Sequence, residues 1–400
     1  MKISKYSVLA NIYFFFNSLF LPKGLLYTTI LGPIFFYRTV RSQRKTFLKP
    51  FSAFLIIYDA IHLYIGVDIK SFFVSNVLFI LTYFCVISFY HFVNNYDKLP
   101  KLFKEVLLCN ALLALLAIPF FFAPKEYQQW FWYINKLTVG FEGFPRLALF
   151  TYEASYYSLL LIPVWYYYVF KFLFNSISTH KWLNLFLITT PMIMSLSFGV
   201  IGASLLTLIL MCVIFSKRLY KFKRPFLIIT SFLIIISMGL FILWYVNPDN
   251  AFFARLQNII EGKDTSTNGR TTDSFTMAWR IAYIKNIFFG AGLGQIKIMA
   301  AEVVHKYYNY WGVFPRYDIP NAMGETLAIF GLLGVFLRLV LEMWLFFKTH
   351  VFSNYYRLAL FIFVFIYQFT GSFITNIVEY VIWILAFSNA FTQFNKNKKV

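Results

Sequence analysis

The stretch SFFVSNVLFILTYFCVISFYHFV (residues 71–93) contains no Asp, Glu, Lys or Arg. It is long enough to cross the hydrocarbon core of a bilayer as a helix, which takes about 20 residues. Similar apolar runs recur along the 400-residue chain, of which 60% is hydrophobic and only 13% is charged. A soluble domain has about 25% charged residues. Because a membrane core offers the backbone no hydrogen-bonding partners, the repeated runs predict an all-α polytopic membrane protein.

A bundle of about twelve transmembrane helices is predicted from these runs. Their approximate limits are 6–22, 25–41, 51–69, 71–93, 102–123, 147–170, 182–198, 199–216, 225–246, 321–347, 357–375 and 377–393. The predicted organisation has transmembrane helices 1–9 in residues 1–246, an extracytoplasmic loop with short helices in 247–320, and helices 10–12 with a basic tail in 321–400. Spans seven and eight are expected to meet at a tight polar turn, because TTPMIMSLSFGVIGASLL (189–206) contains one proline and two glycines.

The formal net charge of +20 is attributed to membrane topology and not to a nucleic-acid partner. Lys and Arg collect in cytoplasmic loops and near anionic lipid. On this basis RTVRSQRK (38–45), KRLYKFKR (217–224) and NKNKK (395–399) are expected to be cytoplasmic, which places both termini in the cytoplasm. The apolar run that follows Lys2 and Lys5 is not followed by a cleavage site, so it is expected to be retained as the first span.

A second stretch, GRTTDSFTMAWRIAYIKNIFFGAGLG (269–294), lies in the predicted outer loop. It predicts a helix of about four turns that begins at TTDS (271–274) and stops at Gly290, with Asp273 and Arg280 on one face. A dinucleotide site at its three alternating glycines is disfavoured, because no strand precedes them and no helix follows. Two interpretations remain open, a plain turn and a turn that also shapes a phosphate or sugar site.

Acidic and basic side chains are predicted at the outer ends of two spans. Arg146 opens the sixth span, and Glu153 follows on the same face of the predicted helix. Asn321 and Glu325 open the tenth span, one turn apart. Ionisable groups within a span are costly, so these carboxylates are interpreted either as structural ion pairs or as parts of an active site. Other intramembrane charges without an evident role are expected to be structural: Asp59, Arg338, Glu342 and Glu379.

Four segments carry a resemblance to a known family. They are RLALFTYEASYYSLLLIPV (146–164), MSLSFGVIGASLL (194–206), GRTTDSFTMAWRIAYIKNIFFGAGLG (269–294) and PNAMGETLAIFGLLG (320–334). Their order, the number of spans and the loop position resemble the O-antigen polymerase and ligase superfamily of Wzy-type membrane glycosyltransferases. Ligases of this superfamily have a His before the Asn of the last segment, whereas Pro320 stands there. Phe198 also stands where an Arg often follows the serines. The first departure favours a polymerase over a ligase.

The resemblance implies an enzyme of the bacterial cytoplasmic membrane that uses a glycan on a polyprenyl-diphosphate carrier as its donor. The acceptor would be a hydroxyl group of another lipid-linked repeat unit, and the product would be O-antigen, capsule or another exopolysaccharide. Because the donor is already activated, neither a metal ion nor a cofactor is expected. The implied partners are lipid-linked oligosaccharides, membrane lipid, a flippase and a chain-length regulator, with no nucleic acid.

The resemblance also implies roles for single residues. Arg146, Arg270 and Arg280 would bind the diphosphate, since guanidinium groups match phosphate oxygens in pairs. Glu153 or Glu325 would be the catalytic base for the acceptor hydroxyl. Further substrate contacts are expected from Trp279, Gly292, Gly294 and Asn321.

Three other functions are alternatives to polymerisation. An O-antigen ligase-type transferase shares the resemblance, and a lipid-linked oligosaccharide flippase shares the expected number of spans. A transporter would be expected to show two similar halves, and the sequence shows no such repeat. A membrane scaffold or sensor would not require acidic side chains inside the bundle opposite outer arginines.

Overall fold

The structure is a computed structural model that describes residues 48–95, 99–136, 143–174, 180–219, 251–309 and 318–396, together with a few isolated positions. The predicted spans 6–22, 25–41 and 225–246 lie outside these continuous ranges. Within the ranges the chain is mainly helical, and one two-stranded sheet is present.

In residues 48–219, helices occupy most of each predicted span. They are α1 (Leu48–Ile65), α2 (Ile69–Asn95), α3 (Leu99–Phe121), the short α4 (Lys125–Gln128), α5 (Ala154–Phe174), α6 (Lys181–Met194) and α7 (Phe198–Leu219). The turn predicted between spans seven and eight is confirmed, because α6 ends at Met194 and α7 begins at Phe198. Two buried serines, Ser195 and Ser197, lie in that turn and are hydrogen-bonded to each other through their hydroxyl groups.

Short helices also occupy the segment that was predicted as the outer loop. The helices of the C-terminal half are α8 (Ala251–Ile260), α9 (Thr265–Arg270), α10 (Thr272–Lys285), α11 (Ile296–Tyr308), α12 (Ala322–Lys348), α13 (Tyr355–Tyr367) and α14 (Ile377–Phe387). Two single turns of 3₁₀ helix follow α12 and α14, at Val351–Ser353 and Thr392–Phe394.

Four of the described helices are long and apolar enough to cross a membrane. They are Ile69–Asn94, Leu99–Phe121, Ala154–Phe174 and Ala322–Lys348. Three shorter apolar helices accompany them, at Phe198–Ile214, Tyr355–Tyr367 and Ile377–Phe387. These helices indicate a membrane protein, whereas the total of twelve spans stays a prediction.

The start of the predicted sixth span was wrong. Residues 143–147 form a strand, β2 (Gly143–Leu147), which pairs antiparallel with β1 (Trp132–Lys136) and brings Arg146 opposite Tyr133. The helix α5 starts only at Ala154. Arg146 and Glu153 therefore do not share a helical face, because strand pairing and the following turn take the place of the first two predicted helical turns.

Two hydrophobic cores organise the described chain. The first is centred on α5, in which most residues are buried. It includes side chains from α3, α7, α13 and α14. The second joins α1 and α2 to α10, α11 and the first half of α12. Because α10 and α11 contribute buried residues such as Ile281 and Ile296, the segment predicted as a loop is packed against the helices of the bundle.

The long helix α12 is interrupted at Gly331, where φ is 66° and ψ is −165°. The turn 286–294, which follows α10, packs into this break. Four backbone hydrogen bonds connect the two: Ala291 N to Ala328 O, Gly292 N to Ile329 O, Leu332 N to Ile287 O and Leu333 N to Phe288 O. The expected stop of α10 at Gly290 was also wrong, because the helix ends at Lys285 and Asn286 is already extended.

Candidate functional site

Glu153 is positioned by the turn between the β-hairpin and α5. The N–H groups of Ala148 and Leu149 both donate to the carbonyl oxygen of Phe131 at 2.9 Å, which continues the hairpin past its last strand pair. Leu149 then adopts a left-handed conformation, with φ of 47°. The Thr151 hydroxyl donates to the Glu153 carbonyl oxygen at 3.0 Å. These bonds fix the backbone that presents the Glu153 carboxylate just before α5 begins.

Arg270 approaches this carboxylate from α9. The helix starts at Asp264, whose side chain accepts a hydrogen bond from Thr267 N at 2.6 Å, and Arg270 is its last residue. Arg270 Nη2 lies 3.7 Å from Glu153 Oε1, and the two side chains are 33% and 29% exposed. An ion pair of this length and exposure contributes little to stability. It leaves both groups accessible to a ligand.

Arg146 adds a second guanidinium group. It lies 5.2 Å from the centre of the Tyr133 ring across the hairpin, and its Nε is buried and donates no hydrogen bond to any described residue. Burial lowers the pKa of Arg146, while the negative charge of Glu153 opposes that shift. The charges of Arg255 and Arg270 also act on Arg146 and lower its pKa further. An anion bound here would relieve this repulsion.

Arg255 is the third member of the group. Its Nε lies 3.3 Å from Asp264 Oδ2, and its guanidinium lies 4.8 Å from the centre of the Phe198 ring. Since Phe198 is the first residue of α7, this contact brings α8 to the turn between α6 and α7. We call Arg146, Arg255, Arg270, Glu153 and Asp264 the arginine cluster. With three positive and two negative groups, its formal charge is +1.

Asn321 attaches this cluster to the bundle. It caps α12 by accepting a hydrogen bond from Gly324 N, and its Nδ2 donates to the Arg270 carbonyl oxygen at 2.6 Å. The side chain is fully buried. The first N–H groups of α12 also find acceptors, since Ala322 N donates to Gly371 O and Met323 N to Gln368 O. Asn321 thus connects the backbone of Arg270 to both α12 and the end of α13.

Glu325 belongs to a different environment from Glu153. Its Oε2 accepts a hydrogen bond from Ile374 N at 2.7 Å, in the connection between α13 and α14. The charged side chains that interact with it are Asp318, Arg338 and Glu379. Tyr367 interacts with charges of both environments, with Arg270 and Glu153 and also with Glu379. Of the two predicted bases, Glu153 is the one that lies beside the arginines.

Arg280 lies in a separate group on α10. Its guanidinium lies 5.1 Å from the centre of the Tyr307 ring, and the Tyr307 hydroxyl donates to Asp273 Oδ1 at 2.8 Å. That hydrogen bond raises the pKa of Tyr307. Asp273 and Arg280 therefore share a face of α10, as the sequence predicted. Trp279, next to Arg280, is 46% exposed.

The glycines predicted to contact substrate are surrounded by protein. A Cβ atom added to Gly292 would lie 3.0 Å from His62 Nδ1, and one added to Gly294 would overlap the carbonyl oxygen of Ser71. Both glycines have positive φ angles, of 99° and 75°. Glycine is needed at both positions because the turn 286–294 packs closely against α1 and α2.

Two features of the site were not predicted from the sequence. The hairpin was missed although two short apolar runs separated by glycines are a recognised hairpin signal. Arg255 was not among the predicted site residues. Its pairing with Asp264 depends on how α8 folds back on α9, and no local spacing rule contains that information.

Comparison with known proteins assigns no family to the chain. No protein-family model matches it, and a search of curated protein sequences finds no significant match. A function for the chain is therefore inferred from the arginine cluster and its surroundings.

Proposed function

We propose that the chain is a polysaccharide polymerase of the bacterial cytoplasmic membrane. It joins oligosaccharide repeat units that are carried on polyprenyl diphosphate, at the outer face of the membrane. The observation that carries this proposal is the arginine cluster, in which Arg270 and Arg146 both interact with the Glu153 carboxylate and Arg255 interacts with Arg146. The apolar helices and the order of the four sequence segments support the same function.

The arginine cluster has the chemistry that a diphosphate requires. Arginine presents a fork of donors that fits pairs of phosphate oxygens, and it stays charged when it is partly buried. Arg146 has a buried Nε without a described acceptor, and Arg270 makes only a long contact to Glu153. We therefore assign diphosphate binding to Arg146 and Arg270, with Arg255 held beside them by Asp264.

Binding of the donor would also prepare the base. When the diphosphate draws Arg270 away, the Glu153 carboxylate loses its cation and is free to accept a proton. The acceptor hydroxyl then attacks the anomeric carbon of the donor, and its proton passes to Glu153. The bond from that carbon to the diphosphate oxygen breaks, and the oxygen leaves with the electron pair. The arginines stabilise the charge that develops on the leaving diphosphate.

The direct test is deletion of the gene followed by analysis of lipid-linked products. A polymerase deletion is expected to accumulate single repeat units on polyprenyl diphosphate at the outer face of the membrane, without long polymer. Complementation with the wild-type gene should restore chain length. Undiminished polymer in the deletion strain would refute the proposal, and single repeats confined to the inner face would favour a flippase instead.

A further inference from the structure

We propose that α10 carries a glycan-binding site for an acidic sugar, with Arg280 as the residue that binds its carboxylate. The proposal rests on the proposed function, which brings lipid-linked glycan to this part of the chain, and it adds a second site beside the arginine cluster. Arg280 is exposed, and none of the described residues accepts a hydrogen bond from it or forms an ion pair with it. Its N–H donors are therefore open to a ligand.

The guanidinium of Arg280 is held in place although its donors are open. It lies 5.1 Å from the centre of the Tyr307 ring, a contact that orients a planar cation. Tyr307 is fixed in turn, because its hydroxyl donates to Asp273 Oδ1 at 2.8 Å. Asp273 and Arg280 lie on one face of α10, and Tyr307 of α11 reaches across that face between them. A ligand therefore meets a cation whose direction is already set.

Two exposed aromatic side chains lie next to Arg280 on α10. Trp279 is 46% exposed, and Tyr283, one turn further along, is 72% exposed. Tyr283 follows Arg280 by three residues, a spacing that makes the two side chains neighbours on a helix. The apolar C–H face of a pyranose ring packs against such an aromatic ring, while its hydroxyl groups stay in water. This stretch of α10 thus offers a sugar both a flat apolar surface and a cation.

The charges around Arg280 favour a carboxylate over a diphosphate. Asp273 lies two turns away and accepts from Tyr307, and Lys285 donates to the carbonyl oxygen of Gly66 at 2.6 Å. Arg280 thus presents a single fork of donors, and a fork fits the two oxygens of one carboxylate. A diphosphate carries more charge and suits the arginine cluster better. A sugar that carries a carboxylate, a uronic acid, matches the fork and the two rings together.

The site lies within reach of a glycan that is held at the arginine cluster. The helix α9 ends with Arg270, and α10 begins two residues later, at Thr272. Arg280 is about 12 Å further along the helix axis, at a rise of about 1.5 Å per residue. An oligosaccharide whose diphosphate is bound by Arg270 can span this distance. Arg280 would therefore select repeat units that contain an acidic sugar.

Binding of free oligosaccharides to the full-length protein in phosphatidylcholine nanodiscs tests the site without polymerisation, so its outcome stands apart from the deletion test. The probes are trigalacturonate and its neutral counterpart galactotriose, and affinity is measured by NMR titration. The wild-type protein should bind trigalacturonate more tightly. Arg280→Ala should reduce that affinity at least about 10-fold and leave galactotriose binding unchanged. Tyr283→Ala should weaken binding of both probes, because both present the same ring face.

Two control variants separate this site from general charge and from the arginine cluster. Lys297→Ala removes an exposed cation of α11 and should keep trigalacturonate binding. Arg270→Ala should also keep it while losing affinity for polyprenyl diphosphate, so failure of the diphosphate site and failure of the sugar site give different results. Equal affinity of the wild-type protein for the two probes would overturn the proposal. Trigalacturonate binding that survives in Arg280→Ala would do the same, and loss of bound phosphatidylglycerol from that variant would reassign Arg280 to a lipid head group.

Discussion

Arg270 shows how a single residue can serve two structural purposes. Its guanidinium lies beside Glu153, while its carbonyl oxygen is held by the buried side chain of Asn321. The backbone is thus fixed and the charged end is only loosely paired. That combination suits a ligand-binding cation, because little must be broken when an anion replaces Glu153.

Arg270→Ala is expected to weaken binding of polyprenyl diphosphate. A charge-assisted hydrogen bond is worth about 1.5–3 kcal/mol, which corresponds to roughly a 10- to 100-fold loss of affinity. The measurement is titration of the purified protein in nanodiscs with the lipid. Arg280→Ala is the matched control, since Arg280 lies with Tyr307 and Asp273. Equal losses in both variants would contradict the placement of the diphosphate.

Glu153→Gln is expected to slow polymerisation by about 10²- to 10⁴-fold, the usual contribution of a general base. The amide has nearly the same shape but cannot accept the proton of the acceptor hydroxyl. Donor binding should be kept, because the variant also removes the negative charge that competes for Arg270. The rate is measured from polymer formed on saturating donor. A wild-type rate would eliminate Glu153 as the base.

Asn321→Ala tests whether the arginine cluster depends on the cap of α12. Loss of the cap and of the bond to Arg270 is expected to cost about 2 kcal/mol of stability. Asn354→Ala is the control, since Asn354 is a buried N-cap of α13 that bonds Phe391 O. Thermal unfolding should shift down in both proteins, whereas diphosphate binding should weaken only in Asn321→Ala. Unchanged diphosphate binding in Asn321→Ala would show that the site does not depend on Asn321.

At the scale of elements, the break in α12 explains why the turn 286–294 has a glycine at position 290. Gly290 and Gly331 approach so closely that a Cβ atom on either would overlap the backbone of the other segment. Each segment satisfies the polar groups that the other leaves open, through the backbone hydrogen bonds at residues 287–292 and 328–333. The break is therefore a specific junction between two parts of the chain.

Gly331→Ala should be strongly destabilising for this reason. The residue has a φ angle of 66°, and its added methyl group would overlap the backbone of Phe288. The free energy of unfolding is therefore expected to fall by at least about 2 kcal/mol. Gly202→Ala in α7 is the control, because no heavy atom of the described residues lies within 4 Å of the added Cβ. The free energy of unfolding of that variant should rise by up to about 1 kcal/mol. Thermal unfolding in detergent measures both, and equal melting temperatures would contradict the junction.

Comparison of elements shows what the sequence could and could not predict. The helices α2 and α3 were predictable, because long apolar runs with few charges leave a membrane segment no alternative to a helix. The hairpin was not predicted, because RLALF (146–150) continues directly into the apolar run of α5. The break at Gly331 was also not predicted, since "AIFGLLG" is equally compatible with close helix packing.

For the candidate site, the sequence identified residue types better than their grouping. Arg146, Arg270, Glu153 and Asn321 were selected, and the structure brings them together. Arg280 was selected with the same argument, yet it lies with Tyr307. The difference arises from the turn at Thr271, which separates α9 from α10, because the helix start predicted at 271–274 does not specify how the preceding helix is oriented.

At the scale of the whole molecule, the two cores meet where the arginine cluster lies. Glu153 precedes α5 of the first core, while Arg270 precedes α10 of the second. Asn321 and Tyr367 connect this region to α12 and to the end of α13. A ligand held between Arg270 and Glu153 would therefore lie where the two cores meet.

The central claim is that the arginine cluster acts on a lipid-linked diphosphate during glycan transfer. Its most direct test is polymerisation by the purified protein in liposomes that contain a polyprenyl-diphosphate-linked repeat unit. The wild-type protein is expected to build polymer and to release one polyprenyl diphosphate for each linkage formed. Folded Arg146→Ala and Arg270→Ala proteins should form almost none. Polymer from these variants at the wild-type rate, or none from the wild-type protein, would contradict the account.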